Sequence, residues 1–135
     1  MNSRAEQLQQ RSHQFFIRVL VLCRSLPRTI GADSIARQLT DSAGSAASNY
    51  RGACKARSRR EFIAKMSVAA EEADESKGWL EALRDARLSE SEDLPALIRE
   101  ANELTAIFVA SQKTARRRQA DEDHLAASTR TRRRV

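Results

Sequence analysis

The sequence contains few of the residues that interrupt helices and few of those that favour sheets. Its 135 residues include only 4 glycines and 2 prolines, and aromatic residues make up 4% of the chain. Glycine and proline weaken helix interiors, whereas β-strands favour β-branched and aromatic side chains. Ala, Arg, Glu, Leu and Gln, which form helices readily, are abundant. The composition therefore predicts an all-α protein, and the length is that of a single domain.

Cysteine, histidine and catalytic motifs are also scarce. The two cysteines, Cys23 and Cys54, have no CxxC spacing, so neither a disulfide framework nor a zinc site is expected. The two histidines, His13 and His124, lie far apart, and no HExxH, Glu-x-x-His, P-loop, GxGxxG or GxSxG pattern occurs. The acidic run at 71–75 predicts a solvated helix face rather than a metal site. We therefore expect no enzymatic activity, no cofactor and no metal.

No apolar run in the sequence is long enough to cross a membrane. The longest one is interrupted by Arg18 and Arg24, whereas a membrane-spanning helix needs about 20 apolar residues. Residues 1–12 are polar and lack the apolar segment of a signal peptide. These absences predict a soluble cytoplasmic protein with no membrane partner.

The spacing of apolar residues predicts four helices. Apolar residues recur at steps of three and four, the spacing of one helix face, in four segments. These segments cover about residues 5–26, 33–54, 58–87 and 89–116. Pro27 ends the first, Asp33 is the expected N-cap of the second, and capping boxes start the third at Ser58 and the fourth at Ser89. Because the connections are short, we expect an antiparallel up-down-up-down four-helix bundle.

The middle of the second helix is unusually small and polar. Residues 42–48 include nothing larger than Ala or Ser, which predicts a close approach to another helix. Gln38 and Asn49 fall on or beside the same face as Ser42 and Ser45. Because buried amides and hydroxyls need hydrogen-bond partners, we expect a polar seam with the third helix, which offers acidic residues and Ser76. Gly78, in the third helix, is a further candidate for a close contact.

The positive charge is concentrated near the C-terminus. The formal net charge is +6, and residues 114–135 contribute +4 of it through seven arginines and three acidic residues. Residues 117–135 have no apolar period, which predicts disorder or a frayed helix. We therefore divide the chain into a four-helix bundle, residues 1–116, and a basic, disordered C-terminal tail, residues 117–135.

Two groups of basic residues are candidates for binding nucleic acid. Unpaired positive charge at this density suits contacts with phosphates. Because few aromatic residues lie nearby to stack on bases, we expect no sequence-specific reading of bases. The alternative is that the same residues provide solubility and local ion pairs. The candidates are Arg51, Lys55, Arg57, Arg59, Arg60, Arg116, Arg117, Arg118, Arg132, Arg133 and Arg134.

A resemblance to a known family extends over about residues 12–113. It is carried by Ile35–Leu39, by Ser42, Ser45 and Asn49–Arg51, and then by Ser58, Glu61–Phe62, Lys65, Ala70, Glu72, Glu75 and Trp79–Leu80. In these positions the chain resembles the bacterial four-helix-bundle family found as open reading frames in intervening sequences of 23S ribosomal RNA genes. That family includes the accessory variability proteins of diversity-generating retroelements. Gly52 departs from the family, which often has Glu after the Asn-Tyr-Arg triplet.

The resemblance implies a bundle that assembles into a ring-shaped homo-oligomer, commonly a pentamer, without enzymatic activity. In the retroelement branch, it also implies a reverse transcriptase partner and binding to nucleic acid. We therefore expect a non-catalytic oligomeric accessory or adaptor protein that binds RNA or DNA without sequence specificity and acts beside a nucleic-acid enzyme such as a reverse transcriptase. The alternative is a structural or protein-binding bundle of unassigned function.

Overall fold

A computed structural model describes residues 3–134, and within that range it contains four α-helices and no strand. The helices are α1 (Arg4–Arg24), α2 (Ile30–Cys54), α3 (Arg59–Asp85) and α4 (Asp93–Arg134). The predicted all-α class and the number of helices are thereby confirmed. No helix in the described part of the chain is both long and apolar enough to cross a membrane.

The first three helices each begin with a side chain that caps the first turn. The hydroxyl groups of Ser3, Thr29 and Ser58 each accept a hydrogen bond from the backbone N–H three residues later. Such caps satisfy backbone groups that have no partner inside the helix. Asp33, the expected cap of α2, instead lies within its first turn, so that prediction was wrong. The box at Ser58 differs in one contact, because the carboxylate of Glu61 accepts from the backbone N–H of Arg57 at 3.1 Å.

The connection between α3 and α4 is built differently from the sequence-based expectation. Arg87 has a φ angle of 56°, and the N–H of Leu88 donates to the carbonyl of Leu83 at 2.9 Å. Together with the bond from the Arg87 N–H to the Arg84 carbonyl, this forms a Schellman motif. The capping box predicted at Ser89 was wrong, because α4 begins only at residue 93.

Helix α4 is 42 residues long and continues through the segment that was expected to be disordered or frayed. After Pro95 the sequence has no further proline or glycine, and it is rich in residues that form helices. Residues 120–134 are exposed throughout. We call residues 119–134 the α4 extension; Val135 lies outside the described residues. The division into a bundle and a basic tail stays a prediction.

The four helices share one apolar core. In its interior the rings of Tyr50 (α2) and Phe108 (α4) stack with their centroids 5.0 Å apart. Helix α3 packs extensively on both α2 and α4, whereas α1 contacts α4 over a smaller area. The largest fully buried apolar side chains are Phe15, Phe108, Leu39, Met66, Leu80, Leu83, Leu97, Leu104 and Val19.

A buried pair of hydroxyl groups joins α2 to α3. The Oγ atoms of Ser42 and Ser76 are 2.8 Å apart, and Ser76 also bonds to a carbonyl of its own helix. This part of the predicted polar seam is confirmed. Gln38, however, is exposed, and Asn49 donates to the Ser45 carbonyl of its own helix at 2.9 Å. The seam is therefore narrower than predicted, because a half-buried Asn can satisfy its amide locally.

Ion pairs fix α1 against α4. The guanidinium of Arg11 contacts Glu100 at 2.5 Å and Glu103 at 2.7 Å. Two turns further along α1, Arg18 contacts Asp93 at 2.7 Å. The hydrogen bond to Glu100 raises the pKa of Arg11, and the bond to Asp93 raises that of Arg18. These pairs set the register of the two helices.

Candidate nucleic-acid interface

Three of the candidate residues lie exposed around the connection between α2 and α3. Arg51 is in the last turn of α2, Lys55 is its C-cap, and Arg57 lies in the connection. None of the three forms a side-chain ion pair or hydrogen bond with any residue between 3 and 134. Their charges are therefore available to an external polyanion. We call Arg51, Lys55 and Arg57 the loop cluster.

Arg59 and Arg60 are at the same end of the bundle but are engaged within the chain. Nη1 of Arg59 lies 2.6 Å from Oε1 of Glu122, and Nη2 of Arg60 lies 3.1 Å from Oδ2 of Asp123. Both acidic partners belong to the α4 extension. The sequence analysis did not predict these pairs, because each joins residues 63 positions apart and no local sequence pattern indicates a contact over that distance.

Arg116, Arg117 and Arg118 are exposed on α4 close to where it leaves the bundle. Consecutive helical residues point about 100° apart, so the three side chains spread around α4 instead of facing one way. Arg118 lines a groove together with Cys54 at the end of α2, which places it near the loop cluster. The structure therefore brings part of this triplet and the loop cluster to one end of the molecule.

Arg132, Arg133 and Arg134 form the last turn of α4, about 14 Å along the helix axis from Asp123. They are fully separate from the bundle surface and exposed. Positive charge at a helix C-terminus is favoured by the helix dipole. This triplet is thus a second basic surface, not part of the first.

The groove beside these residues has a volume of about 1040 Å³. All four helices contribute to its lining, which is mainly apolar. Tyr50 and Cys54 contribute its polar atoms from α2, and burial together with a hydrogen bond to Cys54 raises the pKa of the Tyr50 hydroxyl. The sequence analysis missed this groove because it forms only where residues of all four helices come together, which no pattern within one helix predicts.

The acidic run on α3 provides no cation site. Within residues 3–134 no group of three or more His, Cys, Asp or Glu side chains is arranged to hold a metal ion. Partial burial, followed by repulsion from Glu75, Glu71 and Asp41, raises the pKa of Glu72. The run is largely exposed, in line with a solvated helix face.

Comparison with known proteins identifies the family of this chain. The family model described as 23S rRNA-intervening sequence protein matches residues 4–110. The chain belongs to this family. Membership in the 23S rRNA-intervening sequence family confirms the resemblance identified from the sequence. The match includes the loop cluster, Arg59 and Arg60, whereas both arginine triplets of α4 lie beyond it.

A solved structure is similar to this family member in fold. It is the crystal structure of a protein with unknown function from the S23 ribosomal protein family of Bacteroides thetaiotaomicron. The two chains are 24% identical; the alignment covers 82% of this chain and 99% of the other, with a TM-score of 0.72. No match was found among curated proteins. Neither the family nor the similar structure indicates a catalytic activity.

Proposed function

We propose that this member of the 23S rRNA-intervening sequence family is a non-catalytic cytoplasmic adaptor that binds RNA or DNA without sequence specificity, beside a nucleic-acid enzyme such as a reverse transcriptase. The observation that supports binding is the loop cluster. Its three basic side chains are exposed and have no acidic partner within residues 3–134. The reverse transcriptase partner rests on the family resemblance alone.

Counterion release would drive such binding. A polyanion that contacts the loop cluster and Arg118 displaces condensed cations from its phosphates, so affinity falls steeply as salt is added. Sequence-specific reading would need side chains that stack on bases or reach base edges. Tyr50 is buried against Phe108, and so offers no stacking surface. We therefore expect little difference between sequences.

Charge reversal at the loop cluster tests the proposal. The triple variant R51E/K55E/R57E changes the net charge by −6 at that end of the bundle. The control R24E/R28E/R37E makes the same change at the other end of the bundle. Arg24 is in the last turn of α1, Arg28 in the connection and Arg37 within α2, and all three are exposed. The two variants are matched, because Arg51 and Arg24 both lie in the last turn of a helix.

Fluorescence anisotropy with labelled RNA and DNA at about 50 and 200 mM salt provides the measurement. The unmodified protein should bind both polymers at the lower salt, and the loop-cluster variant should lose more affinity than the control. Equal losses would assign binding to overall charge rather than to this surface. Absence of binding at about 50 mM salt would contradict the proposal and favour the alternative, a structural or protein-binding bundle.

We further propose an up-down-up-down topology and a ring-shaped homo-oligomer, with a pentamer favoured by the resemblance. The α1–α4 ion pairs support an antiparallel arrangement of these two helices, because Arg11 contacts Glu100 and Arg18 contacts Asp93, so residue numbers fall along α4 as they rise along α1. Exposed apolar residues on α1, Ile17 and Val21, support self-association. Sedimentation at micromolar concentration should give a multiple of 15.1 kDa, and a value near the protomer mass would rule out the oligomer.

A further inference from the structure

The α4 extension carries a short run of acidic residues among basic ones. Asp121, Glu122 and Asp123 are consecutive, and they are the only acidic residues after Glu103 in the sequence. Arginines lie on both sides of them, at 116–118, 130 and 132–134. We call residues 121–123 the acidic segment. Because these carboxylates interrupt an otherwise basic part of the chain, their place in the fold determines which positive charges they neutralise.

Two of these carboxylates contact the start of α3, next to the loop cluster. Nη1 of Arg59 lies 2.6 Å from Glu122 and is shielded from solvent, and Nη2 of Arg60 lies 3.1 Å from Asp123. Only one residue separates Arg59 from Arg57 of the loop cluster. The acidic segment therefore neutralises the two arginines that would otherwise extend the loop cluster along the first turn of α3.

The carboxylate of Asp123 is also held from within α4. The side-chain amide of Gln119 donates to Oδ1 of Asp123 at 3.0 Å, one turn earlier in the same helix. Nη2 of Arg60 lies 3.1 and 3.4 Å from the two oxygens of that carboxylate. Carboxylates and phosphates both bind guanidinium groups through pairs of oxygens. Asp123 therefore occupies Arg60 in the way that a phosphate of a nucleic acid would.

Few other contacts hold the acidic segment in place. Beyond Ala115 no described residue of α4 is buried, and the side chains of Glu122 and Asp123 are 61% and 54% exposed. Ion pairs between exposed side chains contribute little to stability and are screened by salt. A polyanion, which offers many phosphates at once, can therefore displace the two carboxylates without disrupting the packed part of the bundle.

We propose that the acidic segment is an internal competitor of nucleic acid. In the free protein, Glu122 and Asp123 occupy Arg59 and Arg60. A bound polyanion displaces them, and its contacts then extend from the loop cluster onto the first turn of α3. This inference rests on the proposed function and adds a means of regulation to it, because affinity is then set by the competition and not only by the number of exposed basic residues.

Removal of the two competing carboxylates tests the proposal in the full-length protein. The variant E122Q/D123N keeps the size of both side chains but removes their charge. The control D121N/E90Q changes the net charge equally, at exposed positions with no ion pair among residues 3–134. By fluorescence anisotropy with labelled RNA and DNA at about 50 mM salt, E122Q/D123N should bind at least about fivefold more tightly than the control.

The salt dependence provides a second measurement with the same variants. With duplex DNA, the logarithm of affinity falls with the logarithm of salt concentration by about 0.9 for each phosphate that is neutralised. Two arginines released from their carboxylates should therefore make the slope of E122Q/D123N steeper than that of the control by up to about 1.8.

A double-mutant cycle then assigns the effect to the two ion pairs. In the R59Q/R60Q background, E122Q/D123N should change affinity by less than about twofold, because the carboxylates no longer have these arginines to occupy. Circular dichroism establishes that each variant is folded.

Two results would overturn the inference and leave the proposed function intact. One is equal binding by E122Q/D123N and D121N/E90Q, which would assign any gain to net charge. The other is an undiminished gain in the R59Q/R60Q background, which would mean that the carboxylates repel nucleic acid without occupying these arginines. If neither the unmodified protein nor E122Q/D123N binds RNA or DNA at about 50 mM salt, both the proposed function and this inference are wrong.

Discussion

At the scale of single residues, Arg87 occupies an unusual backbone position. Among residues 3–134 it is the one non-glycine residue with a positive φ angle. Side chains other than Gly are disfavoured there because Cβ approaches a backbone carbonyl, and most Schellman motifs have glycine at this position. Its side chain is exposed and belongs to no ion pair within the described range.

We therefore expect Arg87→Gly to stabilise the protein. The free energy of unfolding in urea should rise by about 0.5–1 kcal/mol, because Gly adopts the left-handed conformation without the Cβ penalty. Arg84→Gly is the control. Arg84 is also exposed but lies within α3, so glycine at that position should lower the free energy of unfolding by about 0.5–1 kcal/mol. If both variants lose stability, the positive φ angle of Arg87 does not lower the free energy of unfolding.

Glu72 links stability to pH. Its pKa is raised above the ordinary value of 4.5, so the folded protein binds this proton more readily than the unfolded chain does. The group therefore contributes stability that is fully present below about pH 4.5 and is lost as the pH rises through the raised pKa. At neutral pH, where Glu72 is ionised, its partly buried charge lowers the free energy of unfolding.

Glu72→Gln should accordingly raise the melting temperature at pH 7, by the equivalent of less than about 1 kcal/mol since the site is partly solvated. The gain should shrink towards pH 4, where the carboxyl group is also neutral. Asp74→Asn, at an exposed position of the same helix, serves as the control. A gain of equal size at both pH values would exclude ionisation of Glu72 as its cause.

At the scale of helices, two glycines that look alike in the sequence have different surroundings. A Cβ atom added to Gly44 in α2 would lie 3.2 and 3.3 Å from two ring atoms of Phe16. At Gly78 in α3, nothing lies within 4 Å of the added atom. The prediction of a close contact at Gly78 was therefore wrong, whereas the close approach predicted for residues 42–48 is confirmed at Gly44.

Alanine substitutions distinguish the two positions. Gly78→Ala should stabilise the protein by about 0.5–1 kcal/mol, because Ala restricts the unfolded chain and favours the helix. Gly44→Ala should gain less or lose stability, since the Phe16 ring must shift by a few tenths of an ångström. Denaturant unfolding of both variants provides the measurement. Equal gains would indicate that the Phe16 ring moves freely.

The start of a helix was predictable where the capping residues are adjacent in sequence to its first turn and no equivalent cap lies nearby. Ser58 was correctly placed because its hydroxyl and Glu61 are three residues apart in a polar break between apolar runs. The start of α4 was misplaced because Ser89 and Ser91 lie in a repetitive Ser-Glu stretch that offers several equivalent caps. Thr29 was overlooked in favour of Asp33, since both residue types cap helices.

The candidate site was only partly predictable. The loop cluster follows from sequence adjacency, because Arg51, Lys55 and Arg57 lie within seven positions of each other at a helix end. The ion pairs of Arg59 and Arg60 depend on how far α4 extends, and apolar periodicity gives no information once the apolar residues stop. The groove is lined by residues of all four helices, so no single segment of the sequence predicts it.

At the scale of the whole molecule, two ion pairs tie the α4 extension to α3. Glu122 and Asp123 hold Arg59 and Arg60, and apart from these contacts the extension is mostly exposed. Exposed ion pairs are individually weak and are screened by salt. Beyond these ion pairs, the helix therefore depends chiefly on the intrinsic helix propensity of its residues.

Neutralising both carboxylates should loosen the extension. In the double variant E122Q/D123N, we expect faster amide hydrogen exchange over residues 119–134 and unchanged exchange in the core of α3. The double variant D121N/E90Q, at exposed positions with no ion pair among residues 3–134, controls for the loss of two charges. If exchange in the extension is the same in both variants, the two ion pairs do not hold it.

The continuous α4 backbone also determines how the chain meets a protease. Trypsin cleaves after arginine but needs an extended segment, so arginines inside a helix are cut only when the helix opens locally. The opening free energy is lowest where the helix has no packing partner and rises towards the bundle, so cleavage should begin at Arg132–Arg134 and reach Arg116–Arg118 last. The order of fragments in a brief digest would thus report the gradient of local stability along the helix. Simultaneous cleavage at both triplets would mean that the extension opens as one unit.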